Sequence, residues 1–144
     1  MPRVSAAFFM TGALFVLCGM IAGVAMGAMQ DFRLAPAHAH LNLLGWVTMA
    51  LYGAFYALTA KTMSKRLAWT NYAVSTAGVM VMIPSLAFFL LGQTSMIPIM
   101  AVGEVLTILG LLIFMVSVAR ELVRKRVEAQ VATSADAAIR MAAE

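Results

Sequence analysis

A chain of 144 residues that is 63% hydrophobic and 11% charged, with a mean hydropathy of +0.94, is not an ordinary soluble domain. Such domains sit near half apolar and a quarter charged. The net charge of +4 is no nucleic-acid signal, because the basic residues flank apolar segments instead of lining one surface, and the single cysteine, Cys18, excludes an internal disulfide.

Four apolar stretches are long enough to cross a hydrocarbon core of ~30 Å, which takes about 20 helical residues. The first runs from Val4 to Gln30. Arg3 ahead of it gives a signal-peptide look, but the run is about twice the usual apolar region of such a peptide, so it reads as a span. The others run from Pro36 to Ala60, from Leu67 to Leu91 and from Met96 to Ala119. Backbone groups in lipid must pair internally, and the runs are too long for barrel strands, so all four are expected to be helices.

The fold class is therefore all-α, an integral membrane four-helix bundle forming one domain over residues 1–131. The links Asp31–Ala35, Lys61–Arg66 and Gly92–Ser95 are short, which makes consecutive helices antiparallel neighbours, up-down-up-down. In that arrangement Arg3, Lys61, Lys65, Arg66, Arg120, Arg124, Lys125, Arg126 and Arg140 fall on one side and only Arg33 on the other. The bias predicts cytoplasmic termini in a bacterial-type inner (plasma) membrane, with the lipid bilayer as surroundings. Glu121 and Lys125 are an i,i+4 pair that extends the fourth helix two or three turns beyond the membrane. Residues 132–144 read as a flexible tail.

Gly19, Gly23 and Gly27 repeat every four residues on the first helix, a small-residue stripe suited to close packing within the bundle or between copies. The second helix opens with Pro-Ala-His-Ala-His-Leu-Asn-Leu-Leu-Gly-Trp, holding both histidines of the chain, His38 and His40. Polar residues at membrane depth mark ligands, ion paths or interfaces. At ~100° per residue the two imidazoles point about 160° apart, so one regular helix cannot offer both to one metal. His38 shares a stripe with Asn42, Gly45, Met49, Tyr52 and Tyr56 that reads as interior, with room at Gly45 for something flat. His40 shares one with Leu43, Leu44, Val47, Leu51 and Leu58 that reads as facing lipid or another copy.

Glu104 is the ionisable residue of the fourth span, about 12 Å from its start by helical rise. It is expected to be buried, protonated or hydrogen-bonded near Trp46 and Pro84-Ser85, as a polar relay or a structural bond. Met26, Met29, Met96 and Met100 are expected at the histidine end, as packing or as thioether ligands.

Arg33-Leu34-Ala35-Pro36-Ala37-His38 resembles the start of the second transmembrane helix of heme-copper oxidase subunit I of the C type, in which the histidine ligates the low-spin heme. Trp46, Gly53, Tyr56 and Leu58 are spaced like the continuation of that helix in the related nitric oxide reductases. The run His40-Leu41-Asn42-Leu43-Leu44 resembles the reductases' His-Thr-Asn-Leu-Leu, which makes His40 the ligand instead. The chain as a whole is similar to short four-helix proteins of the oxidase subunit I-like kind. This resemblance implies a b-type heme on His38 or His40 and a redox or electron-transfer role with a redox partner. Two histidines cannot build a binuclear oxygen-reducing centre, so oxidase activity is not implied. The alternatives are a copper-handling protein using the same histidines and methionines, and a structural or assembly subunit without a cofactor. A low-spin heme here needs either a histidine–methionine pair within one bundle or two histidines from a homodimer.

The orientation is tested by Lys65→Cys. The cysteine is expected to be inert to an impermeant thiol reagent added outside intact cells, and labelling would reverse the topology.

Overall fold

The computed structural model describes residues 1–143, with the side chains of 129, 132–134 and 136–143 left aside. Among the described residues the fold is all-helical, with four helices long and apolar enough to span a membrane. Helix α1 covers Arg3–Met29, α2 covers Ala35–Leu58, α3 covers Lys65–Leu90 and α4 covers Ile97–Ala143. A 3-10 turn, Thr94–Met96, leads into α4. The backbone stays helical beyond Ala132, where a flexible tail is expected from composition; alanine, the best helix former, is dense there.

Local chemistry sets the ends. α1 stops at Gln30, whose left-handed backbone (φ 53°) turns its N–H back to Gly27, and whose side-chain amide donates to the same carbonyl at 2.6 Å. In the following loop the Arg33 guanidinium grips both oxygens of Asp31 and holds that carboxyl down at about 2. A lowered carboxylate favours the folded loop above the ordinary carboxylate range and stops doing so as pH falls towards 2. α2 then starts with Pro36 in its first turn, where a missing N–H costs nothing. α3 starts behind Ser64, and α3 ends before Gly92, whose φ of +99° requires glycine.

The spacing of contacts shows how neighbours run. Gly53, Gly12, Gly19 and Gly23 bring Phe8, Met49, Asn42 and His38 together in descending order, so α1 and α2 are antiparallel. Ser75 lies on Gly110, Gly78 on Thr107, and Met82 on Gly103, so α3 and α4 are too. A methyl at Gly103 would lie 2.5 Å from the Met82 nitrogen, so the two backbones come very close here. That α3–α4 seam is absent from the sequence reading, which picks out only the stripe on α1.

One feature of α2 departs from a regular helix. Residues Leu41–Thr48 are π-helical, with α-helix on both sides (Ala35–His40 and Met49–Leu58). Such segments are rare and frequent at functional sites. The assignment of faces at a fixed 100° per residue does not hold strictly here, yet Gly45, Met49, Tyr52 and Tyr56 are all buried as that assignment expects.

The core lies towards the opposite end from the histidines. Phe8 of α1 is fully buried and stacks on Tyr56 at 5.8 Å, with Tyr52 and Tyr72 edge-on at 5.8 and 5.2 Å. Tyr52 stacks on Phe114 of α4 at 4.3 Å, so rings from all four helices meet. Each such pair is worth about 0.5–1.5 kcal/mol beyond area burial. Through this cluster runs a directed chain of hydrogen bonds. The Ser75 hydroxyl donates to Asn71 Oδ1 at 2.9 Å, and Asn71 Nδ2 donates to the Tyr56 hydroxyl at 3.1 Å. Ser117 donates to the Ile113 carbonyl, so Tyr56 donates to Ser117, 2.9 Å away.

Tyr56→Phe would strip Asn71 and Ser117 of a partner at once, at a cost of about 1–3 kcal/mol. Thermal unfolding of the purified protein is expected to show a clearly lowered midpoint. Ser5→Ala is the contrast, because the Ser5 hydroxyl is buried without a protein partner, and its midpoint is expected to hold or rise. Equal losses for both would contradict the network.

Candidate functional site

The two histidines have separate environments. His38 points into the bundle, half-buried against α1, with its Cε1 3.1 Å from where a Gly23 methyl would stand. Its Nε2 lies 3.0 Å from Asn42 Nδ2, and the amide donates to it. Asn42 in turn fills the notch of Gly19, where an added methyl would be 2.1 Å from Oδ1. Among the described residues, His38 Nδ1 and Asn42 Oδ1 are buried with no protein partner.

His40 is exposed, on the other face. Its Nδ1 is 2.7 Å from the Pro36 carbonyl. A carbonyl can only accept, so Nδ1 carries the proton and Nε2 presents its lone pair outwards. This is a tautomer that ligating imidazoles adopt, with a backbone carbonyl fixing the ring. Beside it, Leu43, Val47 and Leu51 are exposed, as expected of the face on lipid or on another copy.

The remaining expected site residues do not join them. Gly45 leaves no room for a flat ligand, because Phe15 occupies the space: an added methyl there would stand 2.9 Å from Phe15 Cβ. Met49 is fully buried in the aromatic core and meets Gly12, eleven residues and about 16 Å of helix from Gly23. Met26 is buried, Met29 is exposed, and Met96 and Met100 are half-buried. Among the described residues no three His, Cys, Asp or Glu side chains gather as a metal site.

Glu104 departs from expectation. It is exposed on the outer surface of α4, and among the described residues its carboxyl makes no hydrogen bond. Trp46 packs its ring at Gly12 and the Ser85 hydroxyl donates to the Val81 and Met82 carbonyls; among the described residues neither side chain bonds to Glu104. Glu121 likewise pairs with Arg124 in preference to Lys125. Asn71 joins the buried network without having stood out in the sequence, although a lone amide inside an apolar run is the same signal that Asn42 gives.

Asn42 and Gly23 close off His38 inside the bundle. The recesses of about 230, 200 and 460 Å3 lie elsewhere, and neither histidine lines any of them. On the outer face, among the described residues, His40 Nε2 has no hydrogen-bond partner and stands beside exposed Leu43, Val47 and Leu51.

Comparison with protein-family models, with curated proteins and with solved structures finds no match to this chain. The likeness to subunit I of heme-copper oxidases thus rests on the α2 motif.

The glycine contacts give a graded test. Gly19→Ala must displace Asn42 and is expected to lower the thermal midpoint. Gly27→Ala meets nothing within 4 Å and is expected to leave it unchanged or slightly raised. A loss at Gly27 matching that at Gly19 would mean that the stripe packs against another chain instead.

Proposed function

We propose that this chain is a multi-pass membrane protein, with both termini cytoplasmic, that binds a b-type heme at its outer face through His40 and serves a redox or electron-transfer role. The observation that carries this reading is the hydrogen bond of exposed His40: its Nδ1 is held by the Pro36 carbonyl, and among the described residues its Nε2 has no partner. His38 becomes a packing residue that holds Asn42 and α1 in place. This favours the His40 alignment of the α2 motif over the His38 one.

A bound heme would supply reversible one-electron chemistry. The chain's own part is to orient an imidazole, to cover the macrocycle with Leu43, Val47 and Leu51, and to keep water from it. His38 faces inward, so one chain offers a single outward imidazole. The second ligand then comes from His40 of another copy across a two-fold axis. The glycine stripe does not form that contact, since Gly19 and Gly23 are already filled by Asn42 and His38.

The absorption spectrum of the detergent-purified protein tests the reading. A Soret band is expected, saturating at one heme per two chains, lost in His40→Ala and kept in His38→Ala. A band that survives His40→Ala would overturn the assignment. Copper by elemental analysis without a Soret band would favour copper handling, and neither cofactor would favour a structural subunit.

A further inference from the structure

At the end of the bundle away from the histidines, a recess of about 230 Å3 opens between α2, the turn after it, α3 and α4. Its floor is Tyr56 and Ser117, whose hydroxyls are committed to the internal network. Phe55, Met63 and Leu67 make an apolar wall, and Arg120, Glu121 and Arg124 stand at the rim.

The rim charges are not equivalent. Glu121 accepts from Arg124 Nε at 3.1 Å and Nη2, and from the Thr62 hydroxyl at 2.9 Å. Arg124 also reaches Glu128. Those three charges are mutually engaged, and the arginine beside Glu121 holds its carboxylate ionised. Arg120 is exposed, and among the described residues nothing bonds to it. Ser64 adds a hydroxyl whose oxygen accepts from the Leu67 N–H at 3.5 Å, leaving its proton to donate. Lys61, Lys65, Arg66, Lys125 and Arg126 flank the recess in sequence, against Glu121 and Glu128 alone, so the local potential is positive.

Depth identifies the occupant. The recess lies where α2 ends at Leu58, where α3 starts at Lys65, and where the apolar run of α4 gives way at Arg120. That is the level of lipid phosphates on a membrane-spanning bundle. We infer that this recess binds the phosphate group of an anionic phospholipid, with Arg120 and Ser64 donating to the phosphate. The apolar wall receives the glycerol and the first methylenes. Basic recesses between helices bind such head groups elsewhere, and guanidinium–phosphate bonds are strong because both partners are charged. This inference is independent of the heme reading.

The test is native mass spectrometry of the full-length protein released from detergent, offered phosphatidylglycerol or phosphatidylcholine. Phosphatidylglycerol is expected to be retained several-fold more, Arg120→Gln to cut its retention about tenfold, and Arg120→Lys to keep most of it. Arg126→Gln, outside the recess, is expected to change little. Equal retention of the two lipids by the unaltered protein would overturn the proposal whatever the variants do. So would an Arg126→Gln loss as large as that of Arg120→Gln, which means diffuse attraction. Displacement of phosphatidylglycerol by millimolar inorganic phosphate would assign the recess to the free anion and overturn the lipid.

Discussion

The hydroxyl of Tyr56 is the point on which the rest of the bundle depends. It accepts from Asn71 and donates to Ser117, so three helices are joined at one oxygen. In apolar surroundings an unmade hydrogen bond costs more than a made one contributes, so these groups tolerate little sliding. Phe8 stacks on the same ring and brings α1 into the same register. The Thr11–Tyr72 bond at 2.8 Å repeats the tie between α1 and α3 one turn further on.

With the register fixed there, the geometry at the other end follows. Counting back along α2, Asn42 reaches Gly19 and His38 reaches Gly23, and the imidazole becomes part of the packing. His40, two residues on, turns away from α1 and keeps one nitrogen free. Two neighbouring histidines thus meet different surroundings, one packed against α1 and one exposed.

The four spans were legible because apolar runs of this length leave few alternatives to helix. The opposite facing of His38 and His40 was legible too, since two residues on a helix differ by 200° whatever surrounds them. The environment beyond the helix was not. Gly45 looked like space, but a side chain from α1, Phe15, fills it, and periodicity on α2 carries no trace of that. Glu104 looked buried because lipid is costly for a carboxyl, yet which face of α4 meets α3 is decided by Gly103 and Gly110, which turn Glu104 outwards. The π-helical stretch after His40 has no sequence signature of its own here. The Tyr56 network was hidden for another reason: its members, on three helices, are single polar residues that only tertiary contact brings together.

On the proposed function, His40 and not His38 presents a free nitrogen to a ligand. The chain has just these two histidines, so nitrogen-15 nuclear magnetic resonance of histidine-labelled protein can follow each without ambiguity. The expected result is a His40 that carries a proton on Nδ1 and whose signals alone broaden sharply when ferric heme is added. Broadening of His38 with His40 unchanged would contradict it.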